Sequence, residues 1–324
     1  MSMIRFFVSM FLNVLLFIST AHAQSLDHQS LDHKVTIGFS QATTTEPWRL
    51  LFNKELRAEA AKDTNIELLV ANANDDVIQQ IDDVEQFIRK KVDIILISPK
   101  VAHELTAIVN KAFTSGIPVI VLDRDLDNNH YTQFIGGDNL LIGKEAGEYA
   151  VKLLGGKGKA QGNIVEIWGG MASTPAQDRH KGFYQVVSQE PGIHLVLKPS
   201  DGDWKQDKAY DIMTDALENN AIIDLVYAHN DPMAYGAYLA AKDMEREKGL
   251  FFLGIDGIPA EGVQWVYDHI LTATFLYKTP GDEGIRQAIK LLQGHPIPKR
   301  VTLPTLIIDS TNAAQILKNN GILP

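Results

Sequence analysis

The sequence predicts an α/β protein of two doubly wound parallel-sheet lobes, and three observations predict it. Short apolar runs alternate with helical patterns along nearly the whole chain. The alternation restarts near Phe134, which predicts two similar lobes rather than one long sheet. Several runs are unbroken, as in Ile94-Ile95-Leu96-Ile97, and that suits a parallel strand covered on both faces.

Val35-Thr36-Ile37-Gly38-Phe39-Ser40 reads as the first buried strand, and apolar residues then recur at helical spacing from Trp48 to Ala61. Glu67 to Ala71 is the next strand and Val77 to Lys90 the next helix. Val92 to Ser98, a helix from His103 to Thr114, and Pro118 to Asp123 complete the first βαβα series. The second opens with Phe134-Ile135-Gly136, a helix over Leu140 to Leu154 and a Gly/Lys-rich turn over Gly155 to Gly162. Strands are expected at Ile164 to Trp168, Leu195 to Lys198, Leu225 to His229 and Phe251 to Ile255. Helices over Gln177 to Ser188, Gln206 to Glu218 and Pro232 to Glu245 lie between them. Leu271 to Tyr277 reads as a strand, Pro280 to Leu292 as a helix, Leu303 to Ile308 as extended and Ala313 to Lys318 as a short closing helix.

The N-terminus reads as an export signal. Arg5 precedes an apolar run from Phe6 to Ile18, and Ala21-His22-Ala23 supplies a small-x-small cleavage site before Gln24. That run is shorter than the ~20 residues a membrane-spanning helix needs, so residues 1–23 are expected to be cleaved and the mature chain to reside in the periplasm. Residues 24–33 are polar and read as a flexible lead. The chain has no cysteine, which removes disulfides, thiol catalysis, lipid-modified cysteine and Cys-ligated zinc. A chain with a large core does not need such staples. A net charge of −10 argues against a nucleic-acid partner, because phosphate binding needs a basic face. No cofactor is expected.

Ligands of open α/β sheets bind beyond the C-terminal ends of the strands. The residues there are Ser40, Ser98, Asp123-Arg124, Asn230-Asp231, Asp256-Gly257 and Tyr277-Lys278, all polar or charged save the glycine, each after an apolar run. Several segments carry a family likeness: Ile117 to Arg124, Gly137-Asp138-Asn139 with Gly143, and Asp178-Arg179-His180-Lys181-Gly182-Phe183. Ala228 to Ala234 with Gly236-Ala237, and Gly254-Ile255-Asp256-Gly257, complete the set. In this order, at strand ends, they make the chain resemble the ribose/galactose class of periplasmic sugar-binding proteins, over about Val35 to Asn312. That class shares its fold with the effector domains of lactose-repressor-type regulators. Pro47-Trp48-Arg49 and Tyr227-Ala228-His229-Asn230-Asp231 look most like its galactofuranose-binding branch.

The resemblance implies the type 1 periplasmic binding protein fold. Its two lobes are joined by a three-crossing hinge near Gly137-Asp138, Tyr277-Thr279 and Leu303-Thr305. The first lobe is then 34–137 plus 280–304, and the second 138–279 plus 305–324. It further implies a monomer that holds a monosaccharide between the lobes and presents it to a membrane permease complex of the ABC type. The alternative recipient is a sensor kinase or chemoreceptor.

By family position Trp48 stacks on the sugar from the first lobe and Trp204 from the second; Trp48 could instead be core at the start of a helix. Asp123 should accept from two ring hydroxyls and Arg124 donate to a ring or hydroxyl oxygen, unless the two form a salt-bridged turn. Arg179 should reach the cleft from a second-lobe helix, or else be a solvated helix residue. Asn230 and Asp256 end second-lobe strands and are expected in the cleft; Arg49 either joins them or pairs with Glu46 on the surface. Ser40 and Ser98 are secondary candidates. Lys278 stands where ribose binders commonly carry Gln. It either brings a cation toward the ligand, favouring an acidic sugar, or points to solvent while Tyr277 faces inward.

A periplasmic carbohydrate-active enzyme is the competing class. The histidines form no H-E-x-x-H, no G-x-S-x-G elbow is present, and Gly158-Lys159-Ala160 lacks the Ser or Thr of a phosphate loop. Asp123-x-Asp125-x-Asp127 opens like a calcium loop, but Asn128 replaces its glycine and Phe134 its closing Glu. A binding protein without catalysis is therefore expected.

Overall fold

The computed structural model describes residues 31–324; the expected signal peptide and residues 24–30 of the lead lie outside the described residues. Leu31, inside the segment read as a flexible lead, is 3% exposed. Its backbone N–H donates to Asp63 at 2.7 Å, so the described end of that lead is anchored.

The first lobe is built from β1 (Val35–Gln41), α1 (Pro47–Ala60), β2 (Ile66–Asn72), α2 (Val77–Lys90), β3 (Ile94–Ser98), α3 (Ala102–Thr114), β4 (Val119–Leu122) and β5 (Gln133–Gly137). The chain then enters the second lobe with α4 (Asn139–Leu153), β6 (Gln161–Ile167), α5 (Thr174–Val187), β7 (Gly192–Leu195), α6 (Gln206–Asn219), β8 (Leu225–Ala228), α7 (Asp231–Asp243) and β9 (Phe251–Asp256). A π-helical turn, Pro259–Val263, runs into α8 (Gln264–Tyr267) and β10 (Ala273–Leu276). α9 (Gly281–Leu292) and β11 (Arg300–Leu303) return to the first lobe, and β12 (Ile307–Asp309) and α10 (Ala313–Asn319) end in the second.

Each lobe holds a six-stranded sheet, ordered β11-β5-β4-β3-β1-β2 in the first and β12-β10-β9-β8-β6-β7 in the second. Every pairing is parallel except that of β12 with β10. The chain passes between the sheets three times: after β5, after β10, and between β11 and β12. The two-lobed architecture with three crossings is therefore the one the sequence predicts.

Period-2 alternation explains the buried runs. In β3, Ile94 and Leu96 join the core beneath α1 and α9, while Ile95 and Ile97 join the one beneath α2 and α3. All four are fully buried, and each stabilises the lobe by about 2 kcal/mol. Helix starts are set chemically. Asp76 accepts the backbone N–H groups of Ile78 and Gln79 to cap α2, and Asp138 accepts that of Leu141 to cap α4.

Two differences from the sequence reading concern weakly patterned segments. The strand expected at Leu195 to Lys198 is β7, three residues earlier, a half-buried edge strand with little alternation to fix its register. The π-helical turn and α8 fill a stretch where no element was expected.

Candidate functional site

The C-terminal strand ends of both sheets face one cleft, where a cavity open to solvent is lined from both sides. The first lobe supplies Glu46, Trp48, Arg49, Asp123 and Arg124; the second supplies Pro175, Arg179, Trp204, Asn230 and Asp256, with Tyr277 at the second crossing.

Arg49 and Asp123 form the first-lobe wall. Asp123 follows β4 with φ +68°, a left-handed conformation that turns its carboxylate inward. Arg49, one residue into the first turn of α1 after Trp48, donates through Nη2 to Asp123 Oδ2 at 2.9 Å and through Nη1 to Gln41 and Ser98, both at 2.8 Å. Its Nε lies 3.4 Å from Glu46, yet this pair is buried, not on the surface. The other Asp123 oxygen accepts from the Tyr277 hydroxyl at 2.8 Å. Burial, reinforced by the charge of Asp123, pushes the Tyr277 phenol far above its ordinary pKa, so it stays a donor. Arg124 is anchored on the Lys100 carbonyl at 2.9 Å. Burial and the neighbouring Arg49 pull it down to about 10, still a cation at neutral pH.

The second-lobe wall is organised by Arg179, which is 1% exposed. Its Nε donates to Asn139 at 2.9 Å and its Nη1 to the His229 carbonyl, while the remaining fork faces the cavity. The guanidinium lies 4.4 Å from the Tyr277 ring centroid and 5.4 Å from that of Trp204. Arg124 stands 5.6 Å from the same Trp204 ring, so one indole is flanked by cations from both lobes. Asn230 is half committed to structure: its Oδ1 caps α7 at Met233 and its Nδ2 donates to the Trp204 carbonyl at 3.1 Å. Asp256 ends β9 against the cavity and is 6% exposed; its backbone carbonyl accepts the Tyr277 N–H at 3.0 Å, but its carboxyl has no protein donor.

Trp48 satisfies both of its sequence readings. It lines the cavity, and it packs as core, stacked on Tyr277 with centroids 5.3 Å apart and its Nε1 donating to the Tyr277 carbonyl at 2.7 Å.

Three expected residues do not line the cavity. Lys278 turns outward, its side chain 39% exposed and 3.4 Å from Asp282, while Tyr277 faces inward; residues adjacent in an extended segment point oppositely. Ser40 bonds Asp83 of α2 at 3.3 Å because alternation along β1 puts Gln41, not Ser40, on the cleft side. Ser98 sits behind Arg49 and Asp123 as their support. Glu46 and Pro175 were not picked out as ligand contacts, and Asn139, which ties Arg179 to Tyr277, carried no sequence signal beyond Gly137-Asp138-Asn139. Among the described residues no group of three His, Cys, Asp or Glu side chains could hold a metal ion.

Residues 37–296 match the family described as periplasmic binding protein domain. The chain is 34% identical over 252 residues to the galactofuranose-binding protein YtfQ of Escherichia coli strain K12, covering 75% of this chain and 78% of that protein. Among solved structures it resembles the fructose-binding periplasmic domain of the hybrid two-component system BT1754, at TM-score 0.84 and 39% identity over 89% of this chain and 94% of that one. A Mycobacterium smegmatis protein in complex with β-D-fucofuranose gives TM-score 0.82 and 29% identity over 89% and 95%. Two lobes meeting at a polar, aromatic-walled cleft are thus matched by sequence over most of their length, and the chain belongs to the periplasmic binding protein domain family, whose members bind solutes and are not enzymes.

Proposed function

We propose that this protein binds a neutral monosaccharide between its lobes in the periplasm and delivers it to an ABC-type importer. The carrying observation is the mismatch between burial and pairing at the cavity. The Asp256 carboxyl has no protein donor, and the cation fork of Arg179 is only partly used. Buried polar groups left unpaired are costly. A ring bearing hydroxyls on several edges pairs them, and the aromatic rings of Trp204 and Trp48 cover its C–H patches. The outward Lys278 removes the main argument for an acidic sugar. Fructose, galactofuranose and β-D-fucofuranose in the names of the similar proteins support a monosaccharide.

Site roles follow the geometry: Asp123, Arg124, Arg179, Asn230 and Asp256 hydrogen-bond the hydroxyls, with Arg49 holding Asp123 in place. Residues 1–23 act as the export signal, and the mature protein works as a monomer. The hinge closes when ligand bridges the lobes, because ligand binds the closed state better. A thermal-shift screen of the mature chain against pentoses, hexoses, furanosides and sugar acids tests this. Binding raises the melting temperature by mass action; a panel in which no neutral sugar shifts it, or only sugar acids do, overturns the reading.

A second recipient has one observation in its favour: the 39%-identical structure is the periplasmic domain of a two-component system. Sugar-dependent stimulation of a cognate transporter's ATPase supports delivery, whereas sugar-dependent phosphorylation of a cognate kinase supports sensing.

A further inference from the structure

Glu166, near the end of β6, is a buried carboxylate outside the cavity lining, 4% exposed. Two imidazoles converge on it. His180 of α5 approaches through Nδ1, 2.9 Å from Oε2, and His229, just after β8, approaches through Nε2, 3.1 Å from Oε1. Trp168 covers the cluster, its ring centroid 4.2 Å from that of His180 and 5.6 Å from that of His229. Burial alone would raise the Glu166 pKa, but the imidazole donors outweigh it and hold the group below its ordinary value, so it is an anion at neutral pH. Burial lowers the His229 pKa, so that imidazole is neutral. A carboxylate only accepts, so both imidazoles must donate: His180 carries its proton on Nδ1 and His229 on Nε2. The Nδ1 of His229 agrees with this, being buried with no hydrogen-bond partner.

Both imidazoles lead to Arg179. His180 follows it on α5, so the carboxylate pins the helical turn from which the Arg179 side chain springs. His229 supplies the carbonyl that accepts from Arg179 Nη1. It lies one residue beyond the ladder between β6 and β8, whose last pair is Ile167 with Ala228. Its N–H still reaches the Ile167 carbonyl at 3.0 Å, but no strand pairing sets the direction of its own carbonyl. The tie from its ring to Glu166 does so, by fixing the side chain and with it the frame at Cα. Glu166, His180, His229, Trp168, Arg179 and Asn139 all belong to the second lobe, so the arrangement does not depend on contact between the lobes.

We propose that Glu166 is a positioning residue for the cleft: by accepting from His180 and His229 at once, it fixes both the helical turn that carries Arg179 and the carbonyl that orients its guanidinium. This deepens the sugar-binding reading and rests on it only for the reason Arg179 must be aimed. Glu166→Gln offers one acceptor and one donor, so only one imidazole can still donate to it. Turning His229 would place an N–H at its buried, unpartnered Nδ1, whereas the His180 side chain is 27% exposed and can give its N–H to water. The change therefore falls on His180.

The test uses the ligand-free mature chain labelled with ¹⁵N at histidine and arginine, at pH 7.5. Two-bond ¹H–¹⁵N spectra of the wild type should show His180 as the Nδ1–H tautomer, the minor form of a free imidazole, and His229 as Nε2–H. In Glu166→Gln, His180 should change to Nε2–H. Exchange of the Arg179 Nε–H with water should then quicken by about fivefold or more, while the backbone amides of β6 and β8 keep their wild-type rates. A Glu166 that merely filled space would leave Arg179 exchange where it was. Should that variant fold poorly, His229→Leu removes one donor but keeps the backbone carbonyl, and should quicken Arg179 exchange in the same way. His229→Gln, which restores a donor toward Glu166, should return it to within about twofold of wild type. An Nε2–H His180 in the wild type, or Arg179 exchange unchanged in both Glu166→Gln and His229→Leu, overturns the proposal. No sugar is added, so failure here leaves the thermal-shift reading standing, and a failed screen leaves this result standing.

Discussion

Lys100, in the turn after β3 of the first lobe, donates to Asp203 of the second lobe at 3.2 Å. The same carboxylate holds Lys205 and Lys208 at 3.0 Å each, and Lys205 in turn lies 3.8 Å from Asp75 of the first lobe. Ion pairs therefore bridge the two lobes beside Trp204, itself a wall of the cavity. Burial alone would raise the Asp203 pKa, but the lysines outweigh it and hold the group far below the usual carboxylate range.

Ion pairs that span the cleft favour the approach of the lobes, so weakening them should cost ligand affinity without touching ligand. Asp203→Asn keeps the left-handed backbone, φ +48°, that Asn tolerates. The ion pairs are partly exposed, and each is worth about 1 kcal/mol or less. A two- to tenfold weaker sugar affinity is expected, with the deficit shrinking as salt rises. Calorimetry from 20 to 500 mM NaCl checks it; equal affinities at low salt would show that the bridge does not favour closure.

Asp123 and Arg49 predict a contrast between two substitutions at one site. Their side chains are both 4% exposed, so Asp123→Ala strands a buried guanidinium and should lower stability by about 3 kcal/mol. Asp123→Asn retains one acceptor, for Arg49, and turns its NH2 toward the Tyr277 hydroxyl oxygen; it loses the charge and should cost about half as much. Both should abolish sugar binding. Urea melts read alongside thermal shifts separate the effects; equal stability losses would mean that Arg49 does not depend on this carboxylate.

A pH profile follows from Asp231 and Asp256, whose pKa values burial raises. An unfolded aspartate titrates near about 3.9. Between that value and the raised folded one, the folded chain binds the extra proton, so this pair lowers ligand-free stability as pH rises through the window. Buried His229, whose pKa burial lowers, adds a stability loss on acidification; the comparison is therefore wild type against Asp231→Asn from pH 5 to 8. The difference in their pH slopes isolates the carboxylates, and parallel curves would remove them as the cause.

The lobes were legible because buried parallel strands announce themselves. Ile94 to Ile97 need no tertiary information to be read as covered on both faces, and the residues just beyond such strands, Asp123 and Asp256 among them, do border the cavity. Side-chain direction was not legible where one residue decides it. Ser40 against Gln41 and Lys278 against Tyr277 differ only by the pleat, and composition at those positions fits either face. Nor was the supporting layer. Asn139 and Asp231 act through contacts 40 and 26 residues away in sequence, at Arg179 and Gly257, and no local pattern encodes such a meeting.

Asn139 gives the sharpest test of that supporting layer. Its Oδ1 accepts from Arg179 Nε at 2.9 Å, its Nδ2 donates to the Tyr277 hydroxyl at 3.2 Å, and it lies outside the cavity lining. It therefore couples a second-lobe cation to the phenol that contacts Asp123 of the first lobe. Asn139→Ala removes no lining side chain but frees Arg179 to adopt other rotamers and leaves its Nε–H without a buried acceptor. Removing one buried partner of a charged group costs about 1–3 kcal/mol. Part of that cost falls on the closed, ligand-bound state, where Arg179 must be aligned. Sugar affinity about tenfold lower is expected, carried mainly by faster dissociation, as most affinity changes within one site are. Stopped-flow tryptophan fluorescence can follow this, since Trp204 adjoins the Arg179 guanidinium. An unchanged dissociation rate would mean that the His229 carbonyl alone suffices to hold Arg179.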